Sequence, residues 1–247
     1  MPVPPRSEGA APGPLAWVRQ AVHDVVDLAW PSTCLGCDAW GEPWCPACRR
    51  SLRGQAFTVH PRHAPHLDVV AAEVFDGPLR TAVTAFKDHG RSDGLALLVP
   101  PARRALARAL VDAPAATTTD GPLVLVPVPS SPAAYRERGR FPLGEITRAV
   151  CRSTVLVDGS GVLVHRGRGV KDQAHVGVAE RRANVAGAFA VAPRAAARLQ
   201  AARARVVLFD DVVTTGATLA SAHAELTRCG LRPVAVVALA ATPRVAP

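Results

Sequence analysis

Lysine is almost missing from this chain. Only Lys87 and Lys171 occur among 247 residues, although Lys and Arg together number 29. Arginine therefore carries the formal net charge of +9. An anionic partner suits that balance, but a chain skewed throughout toward Arg, Ala, Val and Pro does not mark a nucleic-acid surface by charge alone. Aromatics are scarce too, with six Phe, four Trp and one Tyr. That leaves few stacking platforms for single-stranded nucleic acid. The core must then be built mainly from Val, Ala and Leu, within a hydrophobic share of 49%. No run of about eighteen apolar residues occurs, which argues against a membrane-spanning helix. The N-terminus lacks a basic stretch leading into an uninterrupted apolar one, which argues against a secretory signal. A cytoplasmic location is the resulting expectation, with cysteines available to metal rather than to disulfides. There is no internal repeat and no Gly-Lys-Ser/Thr of a Walker loop.

What is present centres on RVVLFDDVVTTGAT, Arg205 to Thr218. The apolar run Val206 to Phe209 predicts a short buried strand, ending near Asp210. Asp210 and Asp211 follow, then Thr214, Thr215, Gly216, Ala217 and Thr218, then an Ala/Leu-rich helix from Thr218 to Arg228. This order places polar groups at the carboxyl end of a parallel strand, where open α/β sheets bind ligands. Gly216 permits a tight turn. Backbone N–H groups at the helix start favour an anion, and the threonine hydroxyls add donors. Two adjacent aspartates need hydroxyl donors or a divalent cation to stay ionised together. Phosphate on one side and a diol or hydrated Mg²⁺ on the other describe a ribose 5-phosphate. A plain N-cap would need one such residue, not two Asp and three Thr around a Gly.

Near the N-terminus, Cys34-Leu-Gly-Cys37 and Cys45-Pro-Ala-Cys48 are separated by seven residues. Two C-x-x-C pairs bring four thiolates within reach of one tetrahedral ion, so Cys34, Cys37, Cys45 and Cys48 are expected to hold a structural Zn²⁺. So small a module gains its folding free energy from the metal. Four thiolates leave no open coordination position, which excludes catalysis at the ion. Residues 1–14 are Pro/Gly/Ala-rich and expected to be disordered. Residues 15–55 combine an amphipathic helix, with apolar residues at 15, 18, 22, 25, 26 and 29, and the Cys₄ module. Residues 56–68, with His60, His63 and His66 broken up by Pro61 and Pro65, read as a solvated linker. Residues 69–247 alternate strands and helices, which predicts a mainly parallel sheet covered on both faces. One helix there is expected to be interrupted at Pro100-Pro101.

Two more segments carry chemistry. After a strand over Leu123 to Val128 comes PVPSSPAAYRERGR, where Ser130, Ser131, Arg136 and Arg138 form either a second anion loop suited to pyrophosphate or a solvated basic loop. The Gly-rich stretch from Arg166 to Asn184 contains Arg166, Lys171, Gln173 and Arg181. It reads as a cationic flap excluding water from a reaction, or as an ordinary surface loop.

The DD-x-x-TTG-x-T core resembles the PRPP-binding motif of type I phosphoribosyltransferases. With the paired C-x-x-C, FDGPLRTAVTAFKDHG, VPVPSSPAAYRERG and the series Gln173, Arg181, Asn184, Gly187, Ala188, Phe189, the chain resembles the ComF family of competence-associated, phosphoribosyltransferase-like proteins. The resemblance implies a type I phosphoribosyltransferase-like α/β fold, with a parallel sheet flanked by helices and a small N-terminal zinc module. It also implies a Mg²⁺-dependent site in which Asp210 and Asp211 engage the ribose hydroxyls and Thr214 to Thr218 wrap the 5-phosphate. Transfer of phosphoribosyl to an acceptor is the implied activity. The alternative is an accessory role in DNA uptake, with single-stranded DNA and competence proteins as partners. Where that family commonly has R-G-F-N-Q, this chain has Arg138-Gly139-Arg140-Phe141-Pro142.

Overall fold

The computed structural model describes residues 33–52, 54–113, 121–166 and 187–245. In chain order, a short helix α1 (Pro46–Ser51) precedes strands β1 (Phe57–Val59) and β2 (Val69–Val74) and helices α2 (Gly77–Asp88) and α3 (Gly94–Asp112). Strand β3 (Leu123–Pro127) leads into α4 (Pro132–Arg138), α5 (Pro142–Cys151) and β4 (Val157–Asp158). A small ribbon, β5 (Leu163–His165) and β6 (Phe189–Val191), comes before α6 (Pro193–Ala201), β7 (Arg205–Val213), α7 (Ala217–Arg228) and β8 (Pro233–Ala241).

Six strands form one sheet in the order β1-β2-β8-β7-β3-β4. All its neighbours run parallel except β1, which pairs antiparallel to β2. The protein is thus an α/β fold with a mostly parallel sheet flanked by helices. Parallel strands covered on both faces need apolar residues throughout rather than alternation. β3 meets that demand with five buried residues in a row, and β7 with buried residues from Val206 to Asp210. Because parallel crossovers are right-handed, α3 and α5 cover one face and α7 the other, with the β5–β6 ribbon packed against α7 through β6. Phe86 and Phe209 are fully buried, and the remaining large core side chains are mainly Leu, as the aromatic-poor composition requires.

Four local expectations differ from the fold. α3 runs unbroken through Pro100 and Pro101. The prolines cost backbone hydrogen bonds, but Leu98, Pro101, Ala102, Ala105, Leu106 and Ala109 are buried against the sheet and α5, and this packing holds the helix together. PAAYRER forms α4 rather than a loop, with the Ser131 hydroxyl accepting from Ala134 N–H at 3.2 Å and Gly139 closing it at φ +64°. That is a serine N-cap, proline first turn and glycine stop. β7 does not end at Asp210; it continues to Val213, with Val212 and Val213 paired to Ala240 and Ala241 of β8. Finally, 56–68 is not a solvated linker: residues 57–59 form the edge strand β1, and Pro61, Ala64 and Leu67 are buried. The expected tail over 1–14 and helix near Leu15 to Trp30 lie outside the described residues.

Candidate functional site

The connections from adjacent β3 and β7 run in opposite directions, toward β4 and toward β8. Such a reversal opens a crevice at the carboxyl ends of the two strands. β3 stops at Pro127, opposite Phe209, and just past it Val128 N–H donates to Phe209 O at 2.8 Å. β7 continues beyond that point, so residues 210–213 flank the crevice with no β3 partner.

The acidic pair sits at this step. Asp210 is 8% exposed, and its carboxylate accepts the Asp211 N–H at 2.9 Å. Burial, reinforced by the charge of Asp211, pushes its carboxyl up to about 7, against the pull of the Asp211 N–H and of Lys87. Successive strand residues point to opposite faces, and Asp211 reaches a different environment. Its carboxylate accepts the Val212 N–H at 2.7 Å and forms an ion pair with Lys87, at the C-terminal end of α2. Both side chains of that pair are partly covered, 27% exposed for Lys87 and 22% for Asp211.

Beyond the strand, Thr214 and Thr215 are exposed and Gly216 is buried. Gly216 takes φ +81° as the residue before α7, and no side chain caps that helix. The left-handed angle favours glycine, and space demands it as well. A Cβ there would run into the Pro61 ring and come within 3.3 Å of the Ala64 methyl. His63 N–H donates to Thr215 O at 2.8 Å, so the 61–64 turn braces the threonine loop from behind. The loop therefore presents two hydroxyls and the uncapped N–H groups of a helix start toward solvent, an arrangement suited to an anion.

The second loop is only partly available. Ser130 and the exposed Arg136 line a mostly apolar cavity of about 380 Å³ with Pro129, Pro132, Tyr135 and Phe141. The Ser131 hydroxyl is engaged in capping α4. Arg138 is tied to Asp88 of α2, Nη2 to Oδ1 at 2.8 Å. Arg140 is committed to the fold: its Nε donates to Glu145 at 2.9 Å, Nη1 to Phe86 O at 3.1 Å, and its guanidinium lies 4.5 Å over the Phe86 ring. Of the flap residues, Arg166 donates to Glu225 of α7 at 3.3 Å. Lys171, Gln173 and Arg181 lie outside the described residues.

Sequence reasoning assigned no role to Lys87 and Asp88. Their signal was weak but present: a lysine in a chain that otherwise uses arginine, next to an acid, at the end of a helix.

The four cysteines form a second centre. The sulfurs of Cys34, Cys37, Cys45 and Cys48 all lie within 4.8 Å of one another, and those of Cys37 and Cys45 are 3.7 Å apart. Sulfurs 2.3 Å from a tetrahedral ion would be about 3.8 Å apart. Backbone N–H groups of Gly36 and Cys45 each donate to Cys34 Sγ at 3.4 Å. Burial opposes ionisation of Cys34, yet the N–H groups of Cys45, Gly36 and Cys37 outweigh it and bring the thiol down to about 6. Cys48 is driven the opposite way by burial and by the neighbouring thiols. Four thiolates this close need a cation among them, and the site fits a metal ion. A Cβ on Gly36 would stand 2.9 Å from both Cys48 Sγ and Pro78, which explains glycine in the first knuckle.

No protein-family model matches the chain, and no curated protein matches it. Among the described residues, no helix is long and apolar enough to cross a membrane.

Proposed function

We propose that the protein binds 5-phosphoribosyl diphosphate at the β7–α7 junction and belongs functionally with the phosphoribosyltransferases, transferring the phosphoribosyl group to an acceptor. One observation carries this reading. A threonine loop, Thr214 to Thr218 at the uncapped start of α7, follows two residues after an acidic pair on the preceding strand, at the switch point of the sheet. The N–H groups and threonine hydroxyls hold the 5-phosphate. Asp211 meets the ribose hydroxyls when Lys87 yields its place, and Asp210 supports it from the buried side. The exposed Arg136 lines the same cavity as Ser130 and suits the diphosphate. An oxygen-only pair of carboxylates fits Mg²⁺ by donor type, and the ammonium of Lys87 already marks a cation position at Asp211. Mg²⁺ bound with the diphosphate would neutralise charge building on the leaving group. The Cys₄ centre, with a closed coordination shell, holds structural Zn²⁺.

Changing Asp210 and Asp211 together to Asn tests this. Calorimetric binding of Mg²⁺-PRPP should disappear in the double variant while its fold, followed by circular dichroism, persists; retained affinity refutes the site. Release of pyrophosphate across a panel of aromatic acceptor bases then tests transfer itself.

A further inference from the structure

One helix touches both centres. On α2, Ala82 is fully buried against Cys34, Leu35, Trp44 and Cys48 of the cysteine module, and Ala85 packs on the same cluster. Just past the helix, Arg91 Nη2 donates to Thr33 O at 3.0 Å, next to Cys34. The following residues of α2 serve the crevice. The Phe86 carbonyl and ring hold Arg140, Lys87 pairs with Asp211, and Asp88 holds Arg138. From Ala82 to Lys87 is five residues, about 7.5 Å along a helix. Such a rigid, packed element is the kind of connection through which two sites can bias one another.

The geometry points to α2 as a coupling element: metal in the Cys₄ centre fixes the position of α2, and that position sets the Lys87–Asp211 and Asp88–Arg138 pairs. Lys87 is then a positioning residue that holds Asp211 until a ligand takes the carboxylate. Loss of metal loosens the surface against which Ala82 and Ala85 pack, and α2 releases the two pairs. Linkage is reciprocal, so breaking the pairs also weakens retention of the metal. The functional meaning of this coupling rests on the reading of Asp211 as a ligand-binding residue. The coupling itself is read without any sugar phosphate, so its failure and the failure of that reading are separate results.

The scarcity of lysine makes the test direct. The full-length protein, metal-loaded or treated with a chelator, is exposed briefly to an N-hydroxysuccinimide acetate, and acetylation is quantified by mass spectrometry. Lys171, the second lysine of the chain, serves as the internal reference. Asp211→Asn in the loaded protein sets the rate of an unpaired Lys87. Removing metal should raise the Lys87-to-Lys171 ratio roughly fivefold or more, the lower range of allosteric couplings, toward the Asp211→Asn value. An unchanged ratio overturns the coupling. Because chelators denature small metal modules, a second measurement runs in the opposite direction. Lys87→Met and Asp88→Asn should each release zinc to a chromogenic chelator several-fold faster than the unaltered protein. Arg108→Ala, which removes an exposed pair with Asp112 within α3, should not. Equal release from all four proteins overturns the proposal whatever the labelling shows.

Discussion

Asp210 gives the sharpest energetic prediction. An aspartate ordinarily titrates at 3.8, and in the fold burial and the neighbouring Asp211 charge push Asp210 up to about 7. The native protein then keeps a proton that the unfolded chain loses between about pH 4 and pH 7. Stability contributed by this residue is fully present below the ordinary aspartate value and is lost as pH rises through the folded one. Roughly three units at about 1.4 kcal/mol each put the loss on the order of 4 kcal/mol. Asp210→Asn keeps the shape and removes the titration. Several other groups trend the opposite way, Glu73 with its burial-raised carboxyl excepted: Arg91 holds Asp93 low, Arg228 holds Glu225 low, and burial holds His223 low. These contributions are lost on acidification, and they are common to both proteins, so they cancel in the difference. Urea midpoints measured from pH 4.5 to 8 should show Asp210→Asn gaining on the unaltered protein as pH rises, then levelling above about 7. A constant difference across that range refutes the buried, proton-retaining aspartate.

Gly216→Ala should destabilise the protein by about 1–3 kcal/mol through its left-handed backbone and further through collision with Pro61, and it should weaken sugar-phosphate binding; a thermal midpoint equal to the original contradicts the packed-loop geometry. The purified protein should carry one zinc per chain by atomic absorption. Excess free zinc, at about a thousand times its dissociation constant, should add on the order of 4 kcal/mol over the stripped form, and absence of any metal-dependent midpoint shift contradicts a structural site. Arg140→Ala should cost about 1.5–3 kcal/mol by removing charged hydrogen bonds to Glu145 and Phe86, while leaving phosphate binding at the α7 start intact. Lost binding with unchanged stability would mean that Arg140 serves the ligand rather than the fold.

The acidic pair and the threonine loop were legible because they are contiguous: strand, acids, hydroxyls and glycine follow one another within fourteen residues. The Cys₄ cluster was legible for the same reason, since its ligands are fixed by two short spacings. Long-range partners were not. Lys87 and Asp211 are 124 residues apart, and nothing in the local pattern ties a helix-terminal lysine to that particular carboxylate. The segment around Pro61 looked solvated because its prolines and histidines forbid regular structure, but an irregular turn can still pack, and this one fills the space that Gly216 leaves open. The continuous α3 shows packing outweighing proline, and α4 shows a capping signal hidden in a basic stretch. The departure at Arg140 proved informative in another way, because that residue is spent on Phe86 and Glu145 rather than left for a diphosphate.

Titration calorimetry of Mg²⁺-PRPP into the zinc-loaded protein tests most directly whether the α7 start receives a sugar phosphate. Saturable 1:1 heat is expected, reduced at least tenfold in affinity by joint replacement of Thr214 and Thr215 with Val. No heat from the unaltered protein, or equal affinity in that variant, would contradict it.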